Sequence, residues 1–128
     1  MYDIIIVGAG PAGLTAAVYG RRAEKSVLII EKSTFGGQIT YSPKIENYPA
    51  FNEIGGNELA DLMVSQALEM GAEIELGTVS SVSVSSDGTK TVSTKEGDSY
   101  SAKAVILATG AKHRMLGVDG EEIGRAHV

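Results

Sequence analysis

Short aliphatic runs alternate with segments of helical periodicity along this chain, and that alternation predicts its fold. Four consecutive aliphatic residues end the run Tyr2–Val7, which predicts a buried strand because such a run needs cover on both faces. A second run, Ser26–Glu31, predicts a parallel strand, and the segment Pro11–Arg22 between them, rich in small residues, predicts a helix. Proline suits the first helical turn, where its missing N–H costs nothing. The three segments therefore form one βαβ unit with a right-handed crossover.

The middle of the chain is typical of a long loop followed by a helix. Glycine and proline are frequent over Thr34–Gly56, and a loop of this length inside a compact domain is usually functional. Asn57 is a candidate N-cap for a helix that runs to Met70 and is closed by Gly71. A short strand is predicted at Glu73–Leu76. The apolar residues of this helix recur at helical spacing on one face, which predicts that the face packs in the core. They are Leu59, Leu62, Met63, Ala67 and Met70.

Beyond the helix the pattern changes to valines mixed with serines. Val79–Ala102 is divided by turn signals into three short segments, the last two at Thr91–Thr94 and Tyr100–Ala102, which predicts a three-stranded antiparallel meander. Ala104–Ala108 is fully apolar and predicts one more parallel strand. The predicted fold is therefore α/β, a Rossmann-like parallel sheet with helices and an antiparallel β-meander. The turn signals are Asp87-Gly88 and Glu96-Gly97-Asp98.

Composition narrows the classes of function. The 128 residues are 43% hydrophobic, which suffices for one domain with a core and argues against disorder. The formal net charge is −5 and no run of Lys or Arg stands out, so we expect no nucleic-acid partner. Cysteine is absent, which excludes disulfides, thiolate metal sites and cysteine redox chemistry within this sequence, and the two histidines predict no metal site. No apolar stretch approaches the length of a membrane span and no secretion signal is evident, so we expect a cytoplasmic protein.

A dinucleotide fingerprint follows the first predicted strand. Gly8, Gly10 and Gly13 have the spacing G-x-G-x-x-G, and the second predicted strand ends at Glu31, 18 residues further on. The first glycine permits a tight turn, the second lets the backbone approach a pyrophosphate, and the third lets helix and strand pack closely. The helix N-terminus offers unpaired N–H groups to phosphates. The Glu31 carboxylate can accept hydrogen bonds from a ribose and would repel a 2′-phosphate, which disfavours NADP but leaves NAD and FAD open.

Four segments of the chain form a combination that is far more specific than the glycines alone: GAGPAGLTAAVYGRRA at 8–23, EKSTFGGQIT at 31–40, KIENYPAF at 44–51 and ILATGAKHR at 106–114. Through them the sequence resembles the low-molecular-weight thioredoxin reductase family of FAD-dependent pyridine nucleotide-disulfide oxidoreductases. The resemblance covers residues 1–122 and implies that the first glycine motif binds FAD.

The resemblance also implies a set of FAD contacts. Glu31 would hold the adenosine ribose, Asn47 would lie near the flavin ring, and Val79 would touch the adenine through its backbone. Thr109-Gly110-Ala111 would close over the nucleotide. The full set of implied cofactor-binding residues is Gly8, Gly10, Pro11, Ala12, Gly13, Glu31, Lys32, Gly36, Gly37, Gln38, Asn47, Val79, Ala108, Thr109, Gly110 and Ala111.

Simpler structural roles are open for several of these residues. Gly36-Gly37 also suits an ordinary loop turn, Gln38 and Asn47 suit amides that satisfy a loop, and Thr109-Gly110 suits a strand terminator. Two methionines, Met63 and Met70, are predicted core residues, and His113 is predicted to be exposed and passive.

In the family that the chain resembles, electrons pass from NADPH to FAD, then to a Cys-x-x-Cys pair and to thioredoxin. The resemblance places the NADPH site and the cysteine pair downstream of this sequence and makes the FAD domain discontinuous. Residues 1–122 are therefore expected to be the N-terminal part of an incomplete FAD domain, inactive alone and without a catalytic residue. The intact enzyme is expected to be a homodimer that reduces thioredoxin. A ferredoxin–NADP reductase, a ferredoxin-dependent thioredoxin reductase and a stand-alone nucleotide-binding module are the alternatives.

The last six residues, Ile-Gly-Arg-Ala-His-Val, do not fit that family. They equal the translation of a common short-read sequencing adapter, ATC GGA AGA GCA CAC GTC, which a stop codon follows. We therefore expect residues 123–128 to be non-native and the native chain to continue beyond Glu122. A natural or engineered truncation is the alternative.

Overall fold

Two helices, one 3-10 turn and six strands build the part of the chain that the computed structural model describes, residues 1–111 and 117. In chain order they are β1 (Tyr2–Val7), α1 (Pro11–Arg22), β2 (Val27–Glu31), a 3-10 helix (Gly37–Tyr41), α2 (Gly56–Glu69), β3 (Glu73–Leu76), β4 (Val79–Val84), β5 (Lys90–Thr94) and β6 (Ser99–Leu107). The predicted tail and His113 lie outside the described residues.

The six strands form one mixed sheet in the order β3-β2-β1-β6-β5-β4. The strands β3, β2, β1 and β6 run parallel to one another, whereas β4, β5 and β6 form the antiparallel meander. The predicted fold class is confirmed. Because β1 lies between β2 and β6, its carboxyl end is flanked by strand ends on both sides, which is where ligands bind in open parallel sheets.

The prediction of two separate strands at Tyr100–Ala102 and Ala104–Ala108 was wrong, because β6 is continuous. Its first half pairs antiparallel with β5 as far as Ala102, and its second half pairs in parallel with β1. The charged residue at the junction, Lys103, points to solvent and forms an ion pair with Asp3 at 3.4 Å. A single outward-facing lysine therefore does not interrupt the strand.

The start of α2 also differs from the prediction. The N-cap is Gly55 rather than Asn57, and no side chain caps this end. A Cβ on Gly56 would overlap the carbonyl oxygen of Ile39, and the Gly56 N–H donates to the Ser42 carbonyl at 2.9 Å. Packing against the 3-10 helix therefore fixes where α2 begins. One predicted core residue of this helix, Leu62, is half exposed.

The core lies on both faces of the parallel strands. On one face α1 and α2 cover the sheet, and Leu14 of α1 is buried against Ile6 and Ile29. On the other face Ile5, Leu28 and Ile30 pack with the meander residues, Val92 and Ala102. The aliphatic runs of β1 and β2 are thus buried from both sides, as their sequence predicts.

We expect Leu14→Ala to lower the free energy of unfolding by about 2–5 kcal/mol, because it leaves a cavity in the core. The matched control is Leu62→Ala on α2, since that side chain is 50% exposed. Chemical denaturation of both variants provides the measurement. Equal losses for the two variants would contradict this account of the core.

The tip of the β4–β5 hairpin contains a carboxylate held by its neighbours. The Ser85 hydroxyl and the Thr89 N–H both donate to Asp87, and they lower the pKa of Asp87 to about 2. Because this pKa lies below its ordinary value of 3.8, the carboxylate stabilises the fold above that value. The contribution is lost as the pH falls through the range from 3.8 towards about 2.

We expect Ser85→Ala to raise the pKa of Asp87 towards its ordinary value, because the largest of the interactions that lower it is removed. An NMR titration of the Asp87 carboxyl carbon measures the midpoint. A midpoint that does not move would show that the hydroxyl is unimportant.

Candidate dinucleotide-binding site

The glycine loop is wedged between the carboxyl ends of three strands. Gly8 has a φ of +112°, and a Cβ at this position would overlap the carbonyl oxygen of Ala108 after β6. The Gly8 N–H donates to the Ile30 carbonyl of β2 at 2.9 Å, and the Ala108 N–H donates to the Val7 carbonyl at 2.8 Å. The first glycine is therefore required by the backbone itself.

The other two glycines of the motif differ in what requires them. A Cβ on Gly13 would overlap the carbonyl oxygen of Gly8, so the third glycine permits α1 to pack on β1. A Cβ on Gly10 would find its nearest heavy atom, the Cα of Gly37, at 3.8 Å, which is an ordinary contact. The protein alone therefore tolerates a side chain at position 10. Glycine there suits a ligand that approaches the backbone closely.

The positive end of α1 faces the same opening. Gly10 is the N-cap with extended backbone, Pro11 is the first helical residue, and no side chain caps this end. No acidic residue lies in the first turn, and the first helical bond runs from the Leu14 N–H to the Gly10 carbonyl at 2.9 Å. Uncapped N–H groups and the helix dipole together suit an anionic group such as a pyrophosphate.

Glu31 ends β2 with its carboxylate turned towards the glycine loop. Its Oε1 accepts the Ala9 N–H at 2.8 Å, its Oε2 accepts the Ser33 N–H at 2.9 Å, and the residue is only 9% exposed. Each carboxylate oxygen has two acceptor positions, so one on each remains for a ribose hydroxyl. The sequence indicated the ribose role but not the two backbone bonds, for which it carries no signal.

The second pair of glycines packs against the glycine loop, and the two segments are adjoining walls of the surface that we call the nucleotide cleft. The Gly36 N–H donates to the Ala9 carbonyl at 2.6 Å, and a Cβ on Gly36 would overlap the Cβ of Ala60 in α2. A Cβ on Gly37 would lie 3.0 Å from the Cα of Gly10. Gly36 and Gly37 form a loop turn, which is the simpler role that the sequence left open for them. This turn also packs directly against the glycine loop.

The segment after β6 completes the group. Ala108 is half-buried beside Gly8, and Thr109, Gly110 and Ala111 are exposed. The Gln38 side-chain amide donates to the Ala111 carbonyl, which links the 3-10 helix to this segment. The structure thus brings together the loop after β1, the turn after β2 and the segment after β6.

Three predicted site residues lie at the margin. Asn47 lines a mostly apolar cavity of about 300 Å³, and Pro11, the first residue of α1, is part of the same wall. Val79 is the first residue of the edge strand β4. Two residues earlier, the Gly77 N–H donates to the Glu31 carbonyl at 2.9 Å, so the start of β4 lies near the end of β2. Lys32 is exposed. The cavity was not predicted from sequence, and its walls are Pro11, Ile39, Ser42, Ile45, Asn47, Tyr48, Leu59 and Met63.

Neither a metal site nor a membrane helix is found over residues 1–111 and 117. No three His, Cys, Asp or Glu side chains in that part of the chain are grouped so as to hold a metal ion. Its two helices are too short and too polar to cross a bilayer.

Comparisons with known proteins define the class. Residues 2–128 match the pyridine nucleotide-disulphide oxidoreductase family, and the chain belongs to that family. The chain is 48% identical over 122 residues to the thioredoxin reductase of Listeria monocytogenes, which covers 95% of the chain and 38% of that protein. It is 46% identical over 123 residues to the thioredoxin reductase of Bacillus subtilis, with the same coverage of 95% and 38%.

A solved structure agrees with these relatives. The fold resembles the crystal structure of Lactococcus lactis thioredoxin reductase in its FR conformation, with a TM-score of 0.88 and 40% identity. The match covers 95% of this chain and 40% of that one. The chain therefore spans about two fifths of the length of these relatives. The resemblance inferred from the four sequence segments is confirmed.

We expect Gly10→Ala to fold normally but to bind nucleotide at least about tenfold more weakly, because the new methyl group occupies the space where a phosphate would approach. Gly13→Ala is the contrasting variant, expected to lose about 1–3 kcal/mol of stability through overlap with a backbone oxygen. Denaturation and a titration with FAD measure the two effects. Similar stability losses for both variants would contradict this division of roles.

Proposed function

We propose that this chain is the N-terminal part of the FAD-binding domain of a thioredoxin-disulfide reductase. The observation that supports it most is the arrangement at the carboxyl end of β1, where the uncapped end of α1 and the Glu31 carboxylate both meet the glycine loop. The thioredoxin reductases of Listeria monocytogenes and Bacillus subtilis, 46–48% identical, favour this function over the ferredoxin-linked flavoproteins and over a module without catalysis.

The residues of the cleft suit FAD in particular ways. The first turn of α1, with Ala12 and Gly13, would receive the pyrophosphate, and Glu31 would accept hydrogen bonds from the adenosine ribose. The negative charge of Glu31 opposes a 2′-phosphate, so the site would prefer FAD to NADP. The cavity beside Asn47 is mostly apolar and is also lined by Pro11 at the start of α1. An apolar cavity next to the proposed pyrophosphate position suits the flavin ring.

In the whole enzyme, bound FAD would supply two-electron redox chemistry between NADPH and a disulfide. The residues of this chain would bind and orient the flavin and keep water from one side of it. The sequence contains no cysteine, so the redox disulfide would belong to the rest of the protein. The family resemblance implies that the NADPH site lies there as well. We propose thioredoxin as the partner, a homodimer as the assembly and the cytoplasm as the location.

The sheet itself suggests that the FAD domain needs further chain. On the side away from β1, β6 is paired with β5 only as far as Ala102. Along Lys103–Leu107 no strand of the described residues pairs with that edge, and Leu107 is 68% exposed. An apolar, unpaired edge in the middle of a sheet is costly and favours pairing with more chain. We therefore propose that residues 1–122 are one part of a discontinuous domain. On the separate ground of their identity to an adapter translation, we propose that residues 123–128 are not native.

We expect the isolated chain to bind FAD weakly and to reduce no disulfide with NADPH, because the cleft is present but the redox thiols are not. Quenching of flavin fluorescence measures binding, with NADP⁺ as the competitor that Glu31 should reject, and reduction of a chromogenic disulfide measures turnover. Absence of FAD binding by a chain proven to be folded would refute the flavin site. Turnover of the disulfide by this chain alone would refute the proposal that the redox thiols of the rest of the protein are required.

A further inference from the structure

We propose that Glu31 is a positioning residue that holds both walls of the nucleotide cleft in place before any nucleotide binds, and that it acts through Ala9. The inference rests on the proposed function only for the identity of the ligand. The network itself belongs to the chain without ligand.

The first step is the contact between Glu31 and the two segments that flank it. One oxygen of the carboxylate accepts the Ala9 N–H at 2.8 Å and the other accepts the Ser33 N–H at 2.9 Å. Hydrogen bonds from backbone N–H groups to an ionised carboxylate are stronger than those between neutral groups. The side chain thus ties the loop after β1 to the turn after β2.

The second step passes from Ala9 to the Gly36-Gly37 turn that packs against the glycine loop. The Ala9 carbonyl accepts the Gly36 N–H at 2.6 Å, so the two backbone groups flanking the Ala9 Cα each make one bond. The Ala9 side chain is fully buried in the core, which removes most of the remaining freedom of this residue. When Glu31 fixes the Ala9 N–H, the position of Gly36 is therefore fixed as well, and with it the turn that packs against Gly10.

The two backbone bonds act in the chain without nucleotide, because the Glu31 carboxylate is only 9% exposed. Removing a carboxylate from water costs free energy unless hydrogen bonds replace the lost water. The Ala9 and Ser33 N–H groups replace part of that water whether or not a nucleotide is bound.

The test uses Glu31→Gln in the chain without nucleotide. A glutamine turns an NH₂ group towards one of the two backbone N–H groups, so that bond is lost. It also has no charge, so the remaining bond becomes a weaker one between neutral groups. We expect amide hydrogen exchange at Ala9, Ser33 and Gly36 to accelerate at least about tenfold. Exchange in the centres of β1 and β2 serves as the internal reference and should change much less.

Glu69→Gln is the matched control, because Glu69 ends α2 on the exposed surface and its carboxylate has no hydrogen bond or ion pair with any residue that the structure describes. If Glu31→Gln fails to fold, Glu31→Asp gives the same measurement, since it keeps the charge but is one methylene too short to reach both donors. The proposal is overturned if Gly36 exchange is unchanged, or if it accelerates only as much as the centres of β1 and β2.

FAD binding separates this proposal from the proposed function. If the unmodified chain does not bind FAD but the exchange result holds, the flavin function fails and the positioning role stands. If the exchange result is negative while Glu31→Gln binds FAD more weakly than Glu69→Gln, Glu31 acts on the ribose alone and the positioning role fails.

Discussion

The turn at the carboxyl end of β1 is the constraint on which the rest of the site depends. At Gly8 the backbone must leave the buried carboxyl end of β1, pass beside the carbonyl of Ala108 and enter a helix within three residues. Only a glycine in the left-handed region with no Cβ satisfies that geometry. Because β2 and β6 flank β1, the turn after β2 and the segment after β6 both lie beside this turn. The cleft is therefore a consequence of sheet order and of one close backbone approach.

Much of this could be predicted from sequence because the signals are local. The apolar runs of β1 and β2, the spacing of Gly8, Gly10 and Gly13, and the position of Glu31 each correspond to a structural requirement that acts over a few residues. Burial on both faces and the βαβ crossover follow from those patterns alone.

The features that sequence did not predict depend on contacts between distant segments. The N-cap of α2 is decided by the carbonyls of Ile39 and Ser42, which no local preference encodes. The continuity of β6 through Lys103 follows from its uninterrupted parallel pairing with β1. The cavity beside Asn47 exists only once α1, α2 and the loop between β2 and α2 are assembled. Glu31 is intermediate, because its place was predictable and its bonds to Ala9 and Ser33 were not.

In the function that we propose, the chain would bind the nucleotide and the rest of the protein would supply the redox disulfide. The most direct test of the flavin site is an NMR titration of the isotopically labelled chain with FAD. We predict saturable shifts of the Gly10, Ala12 and Gly13 amide signals, while the hairpin amides of Ser85 and Thr89 stay unchanged. Absence of shifts at the glycine loop, or shifts spread evenly over the chain, would contradict the account.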